Sequence, residues 1–319
     1  MNQTSPRALH MKSVIRNNDR HLVQTYGTAL LRYGDFVPFL SIHLMGLWAF
    51  HTGIRMEWVI LAVASYYLRM FGITAGYHRY FSHRSFKTSR LFQFFLAFLA
   101  MTSAQKGVLW WAAHHRHHHR YSDQEPDVHS PSQRGFWSAH VGWMFTKESV
   151  RTDFKRVRDL YRYPELRFLN RFHYIPPILY ASLIYILWGF PGLVWGFFIS
   201  TTVLYHCTFF INSLTHMVGR VRYRSNDRSR NSFVLAILCC GEGWHNNHHH
   251  YQSSVNQGWF WWEVDLSYYV LSVLSWVGIV WDLRKPPAHI KAGTIAVENG
   301  LRAARIEADA GRTDVSIGI

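Results

Sequence analysis

A nearly unbroken apolar run from Tyr174 to Ile211 leaves this chain few folds to choose from. It is about twice the 20 or so residues that cross a bilayer as a helix. Gly189-Phe190-Pro191-Gly192 at its middle is a turn sequence, so the run reads as a hairpin of two spans. Two further apolar blocks, Phe36 to Phe50 and Trp58 to Ala75, precede it. Lipid offers no hydrogen bonds, so a spanning backbone of this length must satisfy itself as helix. The expected fold class is therefore an all-α integral membrane protein with four transmembrane helices. A near-neutral mean hydropathy does not oppose this, because charged stretches between the blocks cancel them in the average.

The formal net charge is +15, with much of the excess in Arg151 to Arg171 and Arg220 to Arg230 beside the apolar blocks. Lys and Arg stay on the cytoplasmic side of a membrane, which places both stretches in the cytoplasm, against lipid headgroups. A chain built this way is not expected to bind nucleic acid. The three cysteines, Cys207, Cys239 and Cys240, lie in apolar sequence without C-x-x-C spacing, which fits a reducing compartment and excludes a disulfide framework or an iron–sulfur site. Residues 1–34 read as a polar N-terminal arm with no signal-peptide core, 35–285 as one membrane domain, and 286–319 as a polar tail expected to fray.

Two shorter apolar stretches, Leu91 to Ala104 and Tyr268 to Leu283, are too short to span. A crossing by the first would also separate histidine-rich sequences on either side of it. Both are expected to lie in the interface or against the cytoplasmic domain, with Trp259 to Trp262 at headgroup level.

The histidines carry the chemistry. There are 21, and three clusters stand out: His78 to His83, His114 to His119, and His245 to His250, with Asn212 and His216 closing the last span. Residues i, i+3 and i+4 share a helix face. His115, His118 and His119 satisfy this, as do His245, His248 and His249, and Asn212 with His216. His78 and His83 are five apart, so a helix is expected to end between them. Nine histidines exceed the needs of one ion; two ions with four or five ligands each account for them. No Cys stands at ligand spacing, as a structural zinc site would ordinarily require, and an all-nitrogen pair of irons is the better reading. His114, His117 and His250 are out of phase and read as surface residues. Isolated histidines, among them His43, His129, His140, His173 and His206, receive no role. Asp123, Asp127, Glu242 and Asp265 are candidates to fix the imidazole tautomers.

At this point the sequence resembles the membrane acyl desaturases of the stearoyl-CoA (delta-9-like) type, especially bacterial members. Their H-x-x-x-x-H, H-x-x-H-H and H-x-x-H-H boxes appear as His78/His83, His115/His118/His119 and His245/His248/His249, and their additional Asn-x-x-x-His as Asn212 and His216. Flanking sequence agrees: Gly72 to Gly76, Arg120 to Asp123, and Gly241 to Trp244. The resemblance covers roughly residues 35–285. It implies a cytosolic helical cap over four spans, holding a non-haem di-iron site bound directly by nine histidines and through water by Asn212. No catalytic side chain beyond these metal ligands is implied. It further implies an acyl tunnel whose bend is formed by Gln105, Trp111 and Thr208. The implied reaction is O2-dependent insertion of a cis double bond into a saturated long-chain acyl group, acyl-CoA foremost and acyl-lipid second. Electrons would come from outside the chain, through a ferredoxin or a b-type cytochrome with its reductase. The setting would be a bacterial inner membrane, among its lipids, with the active site facing the cytoplasm.

One departure bears on the carrier. The animal enzymes' Arg-Asp pair near CoA is Ala113-His114 here, and a neighbouring Asn is Lys106. An unactivated methylene has no acidic proton, so its removal requires an oxidant made from O2 at a redox metal and not side-chain acid–base chemistry. Two rivals stay open on the residues alone: a di-iron membrane hydroxylase and a non-catalytic metal-binding membrane protein.

Overall fold

The apolar blocks form helices, and the computed structural model describes them within residues 33–293. The N-terminal arm lies outside the described residues but for its last two positions, and so does the tail beyond 293. Tyr33–Gly46 (α1) is followed by Met56–Phe71 (α2), which runs without a break into a π-helical segment, Gly72–Ser82. Arg90–Met101 (α3) and Val108–Tyr121 (α4) follow. Short helices then lead to Ile175–Gly192 (α5), a π-helical stretch Leu193–Ile199, and Ser200–Ser213 (α6) with a closing 3-10 turn Leu214–His216. A short helix Phe233–Leu238, His245–His250 (α7) and Leu266–Trp276 (α8) follow, and Lys87–Thr88 pairs antiparallel with Val280–Trp281.

The long apolar run reverses where the turn sequence predicted. Gly189 takes φ 64°, ψ −163°. Beyond it the chain folds back: Ser65 Oγ meets Tyr180 Oη at 2.7 Å and the Gly196 carbonyl at 2.5 Å. A straight helix would hold those two residues about 24 Å apart. The outer faces are apolar, with Ile178, Leu179, Leu183 and Ile186 of α5 and Ile60 and Val63 of α2 exposed. Within α2 one cation is fully buried. Arg69 donates to Ser200 Oγ (2.5 Å), Thr201 Oγ1 (2.6 Å) and the Thr102 carbonyl (3.4 Å), and lies over the Tyr180 and Phe197 rings.

The stretch Leu91 to Ala104, expected in the interface or against the cytoplasmic domain, packs along the π segment that carries the first histidine pair. α3 lies antiparallel along the π segment. A Cβ on Gly72 would come within 2.9 Å of the Ala100 backbone nitrogen, one on Gly76 within 3.0 Å of the Leu96 carbonyl, and Tyr80 Oη donates to Gln93 Oε1. The chain thus descends beside α2 to the level of Arg69, turns at 102–107, and climbs back as α4. Neighbouring histidine boxes stay together because the chain returns. α8 packs through Ser267 Oγ on Thr74 and turns Val270, Val273, Trp276 and Val277 outward. Of the tryptophans expected at headgroup level, Trp261 is 88% exposed but Trp259 is buried. The tail does not fray at once after Pro286: Lys291 still hydrogen bonds to the Trp259 carbonyl and accepts from Tyr223.

Candidate metal centre

His78 and His83 come together by a route the 3.6-residue period could not give. No helix ends between them. The π segment bonds i to i+5, His83 N–H to the His78 carbonyl at 3.2 Å, so residues five apart share its face and the two rings sit 4.8 Å apart. Arg116 then fixes α4 against the end of this segment by donating to the Phe81 and Ser82 carbonyls and to Asp159.

The nine boxed histidines gather into two groups whose ring nitrogens lie within 4.8 Å of one another. The first holds His78, His83, His115, His119 and His248; the second holds His118, His216, His245 and His249. Each helix serves both. In α4 the i, i+4 pair His115/His119 enters the first group and His118 the second. In α7 the pair His245/His249 enters the second and His248 the first.

Carboxylates face the outer nitrogens. Glu242 Oε2 is 2.5 Å from His78 Nδ1, Asp127 Oδ2 3.0 Å from His118 Nδ1, and Asp123 Oδ2 2.8 Å from His216 Nδ1. Asp227, which the sequence reading passed over, lies 2.5 Å from His249 Nδ1. Asp265 stands one step back, on Arg79, which itself binds Glu242. Burial alone would raise the Asp227 carboxyl, but the His249 ring beside it outweighs that and holds it well below the usual carboxylate range. Burial pushes His115, His119, His245 and His248 well below the ordinary imidazole value, so they are neutral at physiological pH.

This donor set fits metal ions. A carboxylate on Nδ1 keeps the proton there and leaves Nε2 as a lone pair. The Nε2 atoms of the two groups face each other at close range: His78 to His248 and His216 to His245 at 3.0 Å, His119 to His115 and to His248 at 2.9 Å, His83 to His115 at 2.8 Å. Two neutral imidazoles at that distance either share one N–H between them or direct both lone pairs at a cation. Imidazoles bound at about 2.1 Å to one metal, with right angles between them, would stand about 3.0 Å apart. The buried Nε2 of His249 has no hydrogen-bond partner.

Beside the first group opens a cavity of about 930 Å³, its mouth included. Gln105, Trp111, Thr208 and Asn212 all line it, together with His115. Gln105 Nε2 donates to Thr208 Oγ1 at 3.2 Å, and Trp111 stacks on His115 with centroids 5.0 Å apart.

Several histidines dismissed on sequence have partners. His114 is no surface residue: it lines the cavity, against Trp110 and Trp143. His129 lines it too and pairs with Asp127. His43, His206, His140 and Ser213 form a hydrogen-bonded chain. His117 and His250 stay outside both groups, bonded to the Pro126 and Arg224 carbonyls. Asn246 and Asn247, between the ligand-phased histidines, are buried and tie the 217–232 loop to α7 through Arg222, Tyr223 and Asn231.

Long apolar helices carrying two buried histidine groups that could hold metal ions, beside a mostly apolar cavity, are the features of a membrane-associated metalloprotein. Residues 56–272 match the model of the fatty acid desaturase family, and the chain belongs to that family. It is 37% identical over 256 residues to the sn-1 stearoyl-lipid 9-desaturase of Synechocystis, covering 78% of this chain and 79% of that protein. It is 36% identical over 255 residues to the delta-9 acyl-lipid desaturase 1 of Arabidopsis thaliana (77% and 81% covered). It is 34% identical over 250 residues to the acyl-CoA C20 delta5-desaturase of Anemone leveillei (77% and 80%). The protein is a fatty acid desaturase, an oxidoreductase with a fatty acyl substrate.

Proposed function

We propose that this desaturase inserts a cis double bond into a saturated long-chain acyl group held in the cavity between the bend residues and the first histidine group. The observation that carries the reading is the pair of histidine groups, five and four strong, with the wall of a cavity running through His115 and Asn212. We propose two iron ions, bound directly by His78, His83, His115, His119 and His248 in one group and His118, His216, His245 and His249 in the other, with Asn212 acting through water. When bound, the irons supply the O2-derived oxidant that an unactivated methylene requires. Overall, two hydrogens leave the acyl chain, and O2 with two external electrons and two protons becomes two waters.

The protein's own groups position and protect. Gln105 and Thr208, joined across the cavity, and Trp111, packed on His115, hold the bend that offers one pair of carbons. Burying the chain gains roughly 0.8 kcal/mol per methylene, which fixes its register without any charged contact. Glu242, Asp123, Asp127 and Asp227 hold the protons on Nδ1. Residues 35–285 form the catalytic domain. α1, α2 with its π segment, α5 and the Leu193–Ser213 helix cross the membrane, and the basic cap faces the cytoplasm of a bacterial inner membrane. Its surface suits an acidic carrier, a ferredoxin or a b-type cytochrome with its reductase.

Expression in a host lacking unsaturated fatty acids, with lipid mass spectrometry and metal analysis, tests the reading. A new cis double bond and two irons per chain are expected. A hydroxyl product, or one zinc with full activity, would overturn it.

A further inference from the structure

The turn between α3 and α4 holds a conformation that its residues do not favour. Ala104 takes φ 57° and Lys106 φ 70°, both left-handed, where the β-carbon of any residue but glycine crowds the following carbonyl. Gln105 sits between them, and all three line the cavity. Such a turn persists only where neighbouring groups hold it.

Two tyrosine hydroxyls, each from a different helix, do the holding. Tyr205 of α6 donates to the Ala104 carbonyl at 3.0 Å, and Tyr77 of the π segment donates to the Lys106 carbonyl at 2.8 Å. Both tyrosines are buried. Tyr205 is fixed by stacking on Phe39 and Phe209, with centroids 5.7 and 5.6 Å apart. Tyr77 stacks on Trp111 with centroids 5.2 Å apart, and Trp111 in turn stacks on His115. Beyond the turn, Asn170 Oδ1 accepts from the Leu109 and Trp110 N–H groups at 3.0 and 2.9 Å and fixes the start of α4. Relaxation of either left-handed residue would swing the Gln105 side chain off Thr208 Oγ1, which it meets at 3.2 Å. A displacement of about 1 Å at a reacting centre is enough to misplace it, and neighbouring carbons of an acyl chain are little farther apart.

We infer that Tyr77 and Tyr205 are positioning residues that set which pair of carbons is desaturated, by locking the backbone on either side of Gln105. Their hydroxyls bind the turn and act through Gln105 and Trp111. This rests on reading the cavity as an acyl tunnel bent at Gln105, Trp111 and Thr208.

The test expresses the full-length enzyme in a host lacking unsaturated fatty acids. Double-bond position in the host's own acyl chains is read by mass spectrometry of their dimethyl disulfide adducts. Tyr205→Phe and Tyr77→Phe each delete one hydroxyl and keep the ring. Tyr66→Phe is the control, since its buried hydroxyl donates to the Leu238 carbonyl and neither residue lines the cavity. Tyr205→Phe and Tyr77→Phe should each raise the ratio of neighbouring-position isomers to the main product about three- to tenfold, the range that loss of one hydrogen bond implies. Iron per chain should stay at the wild-type value. Their melting temperatures should fall about as far as that of Tyr66→Phe, whose product keeps the wild-type position. Wild-type isomer ratios in both variants, while Trp111→Ala shifts them, would overturn the inference and leave the bend in place. An equal spread in Tyr66→Phe would overturn it too, since loosening the fold anywhere would then suffice. So would a spread that appears only together with iron loss. An unchanged position in Trp111→Ala as well would overturn the bend, and the inference with it.

Discussion

Asp227 offers the sharpest test of how the second histidine group is held. Its Oδ2 lies 2.5 Å from His249 Nδ1, and its other contacts, Ser225 Oγ at 2.9 Å and Ser229 N–H at 3.0 Å, order the loop that carries it. Asp227→Asn keeps an oxygen that accepts from Nδ1–H and removes the charge. Asp227→Ala removes the acceptor as well and frees the ring to rotate or change tautomer. Outer carboxylate partners of metal-bound histidines are worth about 10–100-fold in metal affinity, or about 1.4–2.7 kcal/mol. Asn should fall near the lower figure and Ala near the upper. His118 and His216 keep Asp127 and Asp123, so neither variant should lose the ion outright. Iron per chain, followed on dialysis against graded chelator, measures this. The loss should plateau near one iron, because Glu242, which holds His78 of the first group, is untouched. An Asp227→Ala protein that keeps both irons to the wild-type chelator midpoint would refute the argument.

Three further outcomes are expected. His119→Ala and His248→Ala should abolish turnover, whereas His117→Ala and His250→Ala should retain much of it, since those rings face the Pro126 carbonyl and Tyr223; equal losses in a turnover assay would contradict the grouping. Thr208→Val removes the acceptor for Gln105 and Trp111→Ala opens the wall, so double-bond isomers should spread along the chain in product analysis, Trp111→Ala more than Thr208→Val; unchanged position and rate in Trp111→Ala would take the bend away from this site. Arg69→Met should shift the melting temperature little, because Ser200 and Thr201 keep their own acceptors at the Gly196 and Phe197 carbonyls, while Arg69→Ala should cost about 2–5 kcal/mol by leaving a cavity; equal losses would show that the charge matters more than the volume.

The parts of the site legible in the sequence are those on ordinary helices. α4 and α7 keep the 3.6-residue period, so the spacing of their histidines names a face directly. Its limits are physical. The i+5 pair His78/His83 needs a wider helix, and what fixes that helix is close packing of Gly72 and Gly76 against α3, a contact between segments with no signature in either. Asp227 sits in an irregular loop and reaches His249 only because Asn246 grips the backbone at Arg222 and Tyr223, and Asp123 accepts from the Arg228 N–H. His114 misled for a different reason. Helical phase turned it away from the two histidine groups, but α4 is covered on that side too, by Trp143, so the opposite face is cavity wall and not surface.

Because each of the two boxed helices feeds both groups, metal and cap cannot be independent, and the helix that gives way first without metal can be named. With no cation, burial holds His115, His119, His245 and His248 neutral, and only N–H···N contacts at 2.8–3.0 Å join neighbouring rings. Such contacts are weaker than bonds to a shared ion, so the helices that carry the rings are held less firmly. α4 is anchored by buried Val108, Leu109 and Trp110 and by the hydrogen bonds of Arg116 to the π segment. α7 has six residues and no apolar side chain, and its tethers are side-chain hydrogen bonds from Asn246 and Asn247 to the 217–232 loop and to Glu263. Regions with few apolar contacts open at lower free energy. Iron removal should therefore release amide exchange in 217–250 while leaving 108–121 nearly as protected as before. Hydrogen-exchange mass spectrometry of iron-loaded and chelated enzyme in the same detergent reads this directly. Protection lost equally from both segments, or first from α4, would mean that the asparagine tethers hold α7 as firmly as apolar packing holds α4.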